Sequence, residues 1–122
     1  MKLKVEIADS PQSLSYGLMH RKELPQDQGM LFKFPGALEA SFWGKNTYIP
    51  LDVAFIDNTN RITEIKKIAP MSTRLIRSSG LCQMAVEANA GFFDKHGIQC
   101  GSKVQVVLDN NGKAAEIEFI ND

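Results

Sequence analysis

Short runs in which apolar and polar residues alternate recur along the chain and predict a protein built mainly from β-strands. Leu3, Val5 and Ile7 alternate with charged residues, which is the pattern of a strand with one buried face. Similar or fully apolar runs predict further strands at 30–34, 49–57, 62–68, 81–88, 102–108 and 114–120, with an extended segment at 38–44. Pro35-Gly36 should end the strand at 30–34. The Asn-Gly pair at 111–112 favours a tight turn that joins the last two strands into a hairpin.

Two short helices are predicted between the strands. The first follows a capping residue at 9–10, begins with Pro11 and should run to about Arg21. The second covers 90–96 and is closed by Gly97, because glycine readily adopts the left-handed conformation that follows many helices. These elements predict an α+β fold in which a mostly antiparallel sheet of about seven short strands forms a β-barrel or a sandwich. All 122 residues should form a single domain.

The strand at 49–57 carries the first candidate for chemistry. Both of its faces are largely apolar, which is typical of a strand in the middle of a sheet. Asp52 shares one face with apolar residues, so its carboxylate loses solvation and needs a partner. Lys45 is the nearest cation in sequence, and the side chain of Asn46 can both donate and accept hydrogen bonds. Two interpretations stay open: a structural network, or a catalytic pair in which Asp52 is a general base and Lys45 holds an anion or polarises a carbonyl.

The segment just before this strand contains the only tryptophan, Trp43, followed by a polar run that ends at Thr47. Trp43 either stacks on a sugar or a base, or fills the core. If the segment is extended, Trp43 and its neighbour Phe42 should point in opposite directions. Trp43, Asn46 and Thr47 are therefore candidate ligand-binding residues.

Arg21 and Ser79 are two further candidates for ligand binding. Arg21 is placed at the end of the first predicted helix, where a cation is ordinary electrostatics. Its guanidinium is alternatively a fork that reaches a carboxylate such as Asp52, or an anionic ligand. Ser78 and Ser79 follow a basic residue, but neither is part of a recognisable nucleophile motif, so a role in binding or in holding Asp52 is the more specific alternative.

Composition argues against several classes of partner. Fourteen basic and fourteen acidic residues cancel, so net charge gives no reason to expect nucleic acid or a membrane surface. The stretch 61–77 is basic but lacks the interleaved aromatic residues of a surface that binds single strands. The two histidines and two cysteines do not have metal-ligand spacing, and no glycine-rich phosphate loop is present. The sequence therefore predicts two free cysteines, no metal, no cofactor and no nucleic acid.

The chain offers no membrane-spanning or leader segment. No apolar run is long enough for a transmembrane helix. Residues 1–4 are not followed by the apolar stretch of a signal peptide. We therefore expect a cytoplasmic location for the chain as written, and a periplasmic or secreted one if a leader preceded it.

Three segments resemble one known family. YGLMHRKELPQDQGMLFKF at 16–34 is followed by FWGKNTYIPLDVAFID at 42–57 and later by VEANAGFFDKHGIQCGSKV at 86–104. In this order they resemble the prokaryotic domain of unknown function 192, a family of uncharacterised ACR proteins. The resemblance covers nearly the whole chain and implies a compact β-rich α+β fold; it implies no activity. The family usually has Met where this chain has Gly44, which removes an apolar side chain next to Lys45.

Two functions of different class remain. The first is a small binding module that holds a small polar or anionic ligand, or a partner protein, at a site around residues 43–52. The second is a small hydrolase-type enzyme that uses Asp52 with Lys45. We favour the binding module, because small enzymes usually show histidines, cysteines or metal ligands at useful spacing and this chain does not.

Overall fold

A computed structural model describes residues 1–112 and 114–121 of the chain. The described residues form nine strands and two short helices. In chain order they are β1 (Lys2–Ala8), α1 (Pro11–Tyr16), β2 (Gln28–Leu38), β3 (Ser41–Phe42), β4 (Leu51–Ile56), β5 (Ile62–Ile68), β6 (Ile76–Arg77), β7 (Cys82–Asn89), α2 (Phe92–Lys95), β8 (Lys103–Leu108) and β9 (Ala114–Ile120). The longest helix has six residues, so no helix in the described part of the chain is long enough to cross a membrane.

Seven of the strands form one sheet, in the order β5-β4-β7-β2-β1-β9-β8, and β3 pairs with β6 in a separate ribbon. β1 and β2 run parallel, because α1 carries the chain from one to the other in a crossover. The other pairs in the sheet are antiparallel. The sheet is therefore mixed, although most of its pairs are antiparallel as predicted. The described residues form nine strands rather than about seven, and the sheet is a half-barrel rather than a closed barrel or a sandwich, while the mostly-β architecture with two short helices is confirmed.

The sheet curls into a half-barrel. Its two edge strands, β5 and β8, meet at one end through a single antiparallel bridge between Arg61 and Lys103. At this point the amide of Ile62 donates to the carbonyl of Ser102 over 2.9 Å. The amide of Val104 donates to the carbonyl of Asn60 over 2.8 Å. Among the described residues this is the one bridge between the two edges, and the sheet wraps around an apolar interior.

The two faces of the curled sheet bury two separate cores. The inner core contains residues from both edge strands, such as Ile62 and Val104, and is closed by Phe92 and Phe93 of α2. The outer core lies under α1, the β3–β6 ribbon and the loops that join them. Its buried members are Ala8, Leu18, Leu24, Met30, Phe32, Ala40, Ile49, Leu51, Val53, Phe55, Ile68, Cys82 and Ala85. As predicted, β4 is a central strand, and all six of its residues are buried.

Two predicted boundaries were wrong. Helix α1 begins as expected, with Ser10 as its capping residue, but it ends at Tyr16 rather than near Arg21. Gly17 has a φ of 53°, a left-handed conformation that ends a helix. Strand β2 does not stop at Pro35-Gly36; it continues to Leu38 through a register shift, since a bulge tolerates a proline that the regular ladder would not.

Candidate functional site

The most unusual side chain in the structure is an acid that the sequence analysis did not single out. Glu87 lies on β7, a central strand, where it pairs with Met30 on one side and Val53 on the other. It is only 4% exposed, and it has no hydrogen-bond or ion-pair partner among the described residues. Burial raises the pKa of Glu87 to about 8, so the carboxyl group holds its proton at neutral pH.

Glu87 lies at the edge of a cavity of about 160 Å³ between the α1 region and the segment that contains β3. The sheet register places Glu87 on the outer face, together with Ala85 and Phe32. The polar and aromatic residues that line the cavity with it are Ser15, Tyr16, Ser41, Phe42, Trp43 and Thr47. None of the described residues that line the cavity is a lysine, arginine or histidine. The cavity is therefore a hydroxyl-rich space next to a neutral acid.

Gly17 lies beside this space, and its backbone conformation accounts for the glycine. A Cβ atom at that position would lie 4.0 Å from Oε1 of Glu87 and 3.4 Å from the ring of Phe32. The left-handed φ of 53° also disfavours any larger residue there. The glycine that ends α1 therefore also lets the chain pass close over the buried carboxyl group.

A backbone hydrogen bond joins the two loops that form the walls of the cavity. The amide of His20 donates to the carbonyl of Asn46 over 2.7 Å. Both residues have left-handed backbone conformations, with φ values of 66° and 56°. Such conformations cost energy in residues other than glycine and are concentrated at functional sites. Asn46 thus contributes a backbone carbonyl that holds the two loops together.

Trp43 lies at the rim of the cavity and is 39% exposed. The ammonium group of Lys45 lies 5.2 Å from the centre of its indole ring, which is a cation–π contact. Phe42 points the other way, into the outer core, where its ring meets that of Phe32 edge-on at 5.0 Å. The two aromatic neighbours therefore point in opposite directions, as their alternation predicted.

Thr47 is buried and belongs to a tight turn. Its amide donates to the carbonyl of Gly44 over 3.0 Å, and its carbonyl accepts from the amide of Met71 over 3.0 Å. Gly44 packs so closely on the next loop that a Cβ atom there would lie 1.9 Å from the carbonyl oxygen of Ala69. The glycine that departs from the family pattern therefore allows a close backbone contact between two loops.

Asp52 is also buried, but its partners are not the predicted ones. Its Oδ2 accepts a hydrogen bond from the amide of Gly91 over 2.9 Å. Its Oδ1 lies 3.7 Å from the ammonium nitrogen of Lys67 and accepts no hydrogen bond from the described residues. The structure brings Lys67 to Asp52 rather than Lys45 or Asn46, because Asp52 and Lys67 are directly opposite each other in the β4–β5 hairpin.

Asp52 and Glu87 belong to neighbouring strands but to opposite faces of the sheet. Asp52 is paired with Ala88, and Glu87 with Val53, so the two acids are one position out of phase. In a sheet, side chains one position apart point to opposite faces. The two carboxyl groups are therefore separated by the sheet itself.

Arg21 and Ser79 do not line the cavity. Each of them binds a carboxylate elsewhere in the structure. The guanidinium of Arg21 forms a fork on Glu6, with its Nη2 2.7 Å from Oε1, and these hydrogen bonds lower the pKa of Glu6. Ser79 donates from its amide and its hydroxyl to Glu64, over 2.7 and 2.6 Å. Burial alone would raise the pKa of Glu64, but the hydrogen bonds from Ser79 outweigh it and lower that pKa.

Ser78 fixes the β3–β6 ribbon. Its hydroxyl accepts from the amide of Ala40 over 2.9 Å and donates to the carbonyl of Gly80 over 2.8 Å. Both cysteines are free thiols, with Cys82 buried and Cys100 exposed. Within the described residues, no three histidine, cysteine or acidic side chains are placed to hold a metal ion.

The fold and the cavity define a small mixed half-barrel with a neutral acid buried beneath its first helix. The chain belongs to the family called domain of unknown function 192, described as Uncharacterized ACR, which matches residues 1–106. This confirms the family that the three motifs indicated. No curated protein matches the sequence.

Two solved structures are similar to the chain over most of its length. A protein of Sinorhizobium meliloti 1021, provisionally described as a transcription regulator, is 32% identical, with a TM-score of 0.80 over 96% of this chain and 81% of its own. A protein of unknown function from Novosphingobium aromaticivorans DSM 12444 is 32% identical, with a TM-score of 0.80 over 83% of this chain and 73% of its own. These likenesses define the fold and the family, and the function must be argued from the site.

Proposed function

We propose that this protein is a binding module for a small neutral molecule that carries several hydroxyl groups, such as a polyol or a sugar. The observation that carries the proposal is Glu87: a carboxyl group that is 4% exposed, has no hydrogen-bond partner among the described residues and borders a cavity. A buried polar group without a partner costs about 1–3 kcal/mol, and a ligand that supplies the partner recovers that cost.

The protonation state of Glu87 supports a neutral ligand. With a pKa of about 8, the carboxyl group at neutral pH has one O–H to donate and one oxygen to accept. A ligand hydroxyl can accept a hydrogen bond from this O–H and donate one to this oxygen. The absence of cationic side chains among the described lining residues argues against the anionic ligand that the sequence left open.

The lining supports a hydroxylated ligand in particular. Ser15, Ser41 and Thr47 line the cavity, and Trp43 at its rim offers an apolar ring. The hydroxyl of Thr47 donates to the carbonyl of Lys45 over 3.2 Å and can still accept a hydrogen bond. This combination suits a sugar or polyol, whose C–H faces pack on aromatic rings while its hydroxyls bond polar groups. About 160 Å³ holds one small molecule, or the end of a larger one that enters past Trp43.

The hydrolase alternative receives less support. A pair of carboxylates that cleaves a glycosidic bond must flank one bond from the same cavity. Asp52 and Glu87 lie on opposite faces of the sheet, and Lys45 lies over Trp43 rather than beside Asp52. We therefore propose binding without catalysis.

We do not propose that this chain regulates transcription, although the Sinorhizobium meliloti relative is described as a transcription regulator. The chain has equal numbers of basic and acidic residues. Among the described residues the longest helix has only six residues, which is short for a recognition helix in a DNA major groove. DNA binding at a regulatory site usually needs a basic surface and an element that enters a groove.

The test is a fluorescence titration of the single tryptophan, with glycerol, xylitol, D-ribose and D-glucose as probes at neutral pH. We expect at least one of these probes to change the emission of Trp43 in a saturable way. Glu87→Met should weaken that binding about tenfold, because the thioether has neither the O–H donor nor the carbonyl acceptor of a carboxylic acid, and tenfold corresponds to about 1.4 kcal/mol.

Glu23→Met is the matched control, since it removes an exposed acid away from the cavity and should leave binding unchanged. Trp43→Ala removes the fluorophore, so its affinity is measured by the rise in melting temperature with each probe. The proposal fails if none of the probes binds, or if Glu87→Met binds them as tightly as the parent.

A further inference from the structure

We infer a second ligand site, next to Asp52 and separate from the Glu87 cavity, for a small carboxylate that carries a neighbouring ammonium or hydroxyl group and an apolar side chain. The site is a cavity of about 360 Å³ bordered by Asp52, Lys67 and Arg74. That volume lies within the range of roughly 300–1,000 Å³ that is usual for small-molecule pockets. The inference does not depend on the Glu87 cavity.

The first observation is the incomplete bonding of Asp52. The residue is 4% exposed, and its Oδ2 is satisfied by the amide of Gly91 at 2.9 Å. Its Oδ1 is buried and accepts no hydrogen bond from the described residues. The ammonium of Lys67 is 3.7 Å away, which is an ion pair but is too long for a hydrogen bond. A buried carboxylate oxygen in this state has capacity for one N–H or O–H donor.

The second observation is the exposure of Lys67. Its side chain is 84% exposed, whereas that of Asp52 is 6% exposed. A long exposed side chain changes rotamer at little cost, so Lys67 can move away from Oδ1. A donor from the ligand then takes the place next to Asp52, while Lys67 remains close enough to bind an acceptor on the same ligand.

The third observation is the charge and polarity of the lining. Lys67 and Arg74 together exceed the single negative charge of Asp52, so the cavity favours a ligand with an anionic group. Arg74 is exposed, and its guanidinium has no carboxylate partner among the described residues. A guanidinium fork matches a carboxylate with two parallel hydrogen bonds.

The remaining wall is apolar. The aliphatic residues and prolines that line the cavity are Pro50, Leu51, Ile68, Pro70 and Ile76. A ligand that satisfies all three features has a donor for Asp52, a carboxylate for Lys67 and Arg74, and an apolar body. Amino acids and hydroxy acids with an aliphatic side chain have this chemistry, because their donor and carboxylate are attached to the same carbon.

The test uses amide NMR titrations with three probes that differ at one position: L-leucine, L-leucic acid and isocaproate. They carry an ammonium, a hydroxyl and no donor, respectively, beside the same carboxylate and side chain. We expect saturable shifts of the Gly91 amide, which bonds Asp52, and of the Ala90 amide at the cavity wall. Isocaproate should bind at least about tenfold more weakly than the better of the other two.

Three variants and one control test the assigned roles. Lys67→Met and Arg74→Met should each weaken binding about tenfold, and both remove exposed side chains, so the fold should survive. Asp52→Asn should abolish the advantage of leucine or leucic acid over isocaproate. Lys22→Met removes an exposed lysine away from this cavity and should leave binding unchanged.

Three results would each overturn the inference. One is the absence of binding by all three probes at about 10 mM, since weaker affinities have little specificity. Another is equal binding of isocaproate and leucine. The last is a pattern of shifts confined to residues around Trp43, which would place the ligand in the Glu87 cavity instead.

Discussion

Two acids on neighbouring central strands, Asp52 of β4 and Glu87 of β7, are buried to the same extent and yet have opposite surroundings. Each is 4% exposed. Asp52 faces the inner side of the half-barrel, where it receives an amide hydrogen bond from Gly91 and lies near Lys67. Glu87 faces the outer side and receives neither a hydrogen bond nor a cation from the described residues.

This difference shows that burial alone does not decide the state of an acid. A carboxylate with a donor and a cation can stay ionised in a folded protein, whereas one without them becomes neutral. The raised pKa of Glu87 has burial as its only cause. The cavity beside Glu87 therefore offers a neutral donor and acceptor, and the one beside Asp52 offers a charged site, so the two cavities favour different ligands.

The largest expected effect is a loss of stability with rising pH that originates at Glu87. Its pKa is about 8 in the folded state against an ordinary 4.5, so between these values the unfolded chain releases a proton that the folded chain keeps. The free energy of unfolding must therefore fall as pH rises through this window. Each pKa unit corresponds to about 1.4 kcal/mol, so the total fall attributable to Glu87 is roughly 5 kcal/mol.

Urea denaturation at a series of pH values between about 5 and 9 measures this effect. Glu87→Gln removes the titrating group, so the difference in stability between variant and parent should grow with pH in favour of the variant. Glu23→Gln, an exposed acid, should follow the parent curve. A constant difference between Glu87→Gln and the parent would mean that Glu87 is ionised in the folded protein, and the contrast between the two acids would disappear.

The second effect concerns the hydrogen bond of Asp52. Asp52→Ala leaves the Gly91 amide without an acceptor and should lower the free energy of unfolding by about 1–3 kcal/mol. Asp52→Asn keeps an acceptor oxygen and should cost less than the alanine variant. Chemical denaturation near pH 7 checks both. Equal losses in the two variants would mean that the amide bond is not what stabilises Asp52.

The sequence predicted the β-rich fold because its signals are local. Alternation in Leu3, Val5 and Ile7, the double-sided apolar run of β4, and the cap at Ser10 each identified an element that the structure contains. The parallel pairing of β1 and β2 and the closure at Arg61 and Lys103 depend on contacts between distant segments. Local periodicity carries no information about them.

The site was harder to predict for the same reason. The nearest cation in sequence to Asp52 is Lys45, but strand register makes Lys67 the nearest in space. That register is shifted by an irregularity between Phe55 and Ile56, which no local pattern in the sequence indicates. Glu87 had a signal: an acid in the middle of an apolar run, within a segment that resembles the family. No feature of the sequence indicated the cavity beside Glu87, which the turn at Gly17 helps to form.

The third effect, smaller than the first two, tests how much Lys67 contributes to Asp52. The pair joins a buried carboxylate to an ammonium that is 84% exposed at 3.7 Å, so water screens the attraction. Lys67→Met should therefore cost at most about 1 kcal/mol, and the loss should shrink at high salt. Denaturation at low and high salt measures this. A loss several times larger would show that the cation contributes more to stability at Asp52 than water screening allows.

The smallest expected effect on stability is that of Trp43, whose substitution tests whether its role is in binding or in folding. Trp43 is 39% exposed, and its ring contacts Lys45 rather than the outer core, so Trp43→Ala should change the free energy of unfolding by about 0.5 kcal/mol or less. Phe42→Ala is the matched control. Its ring packs against Phe32 and Phe55, so this variant should lose about 3 kcal/mol. If Trp43→Ala is as destabilising as Phe42→Ala, the tryptophan is part of the core, and the Glu87 cavity loses the aromatic rim on which a ligand would stack.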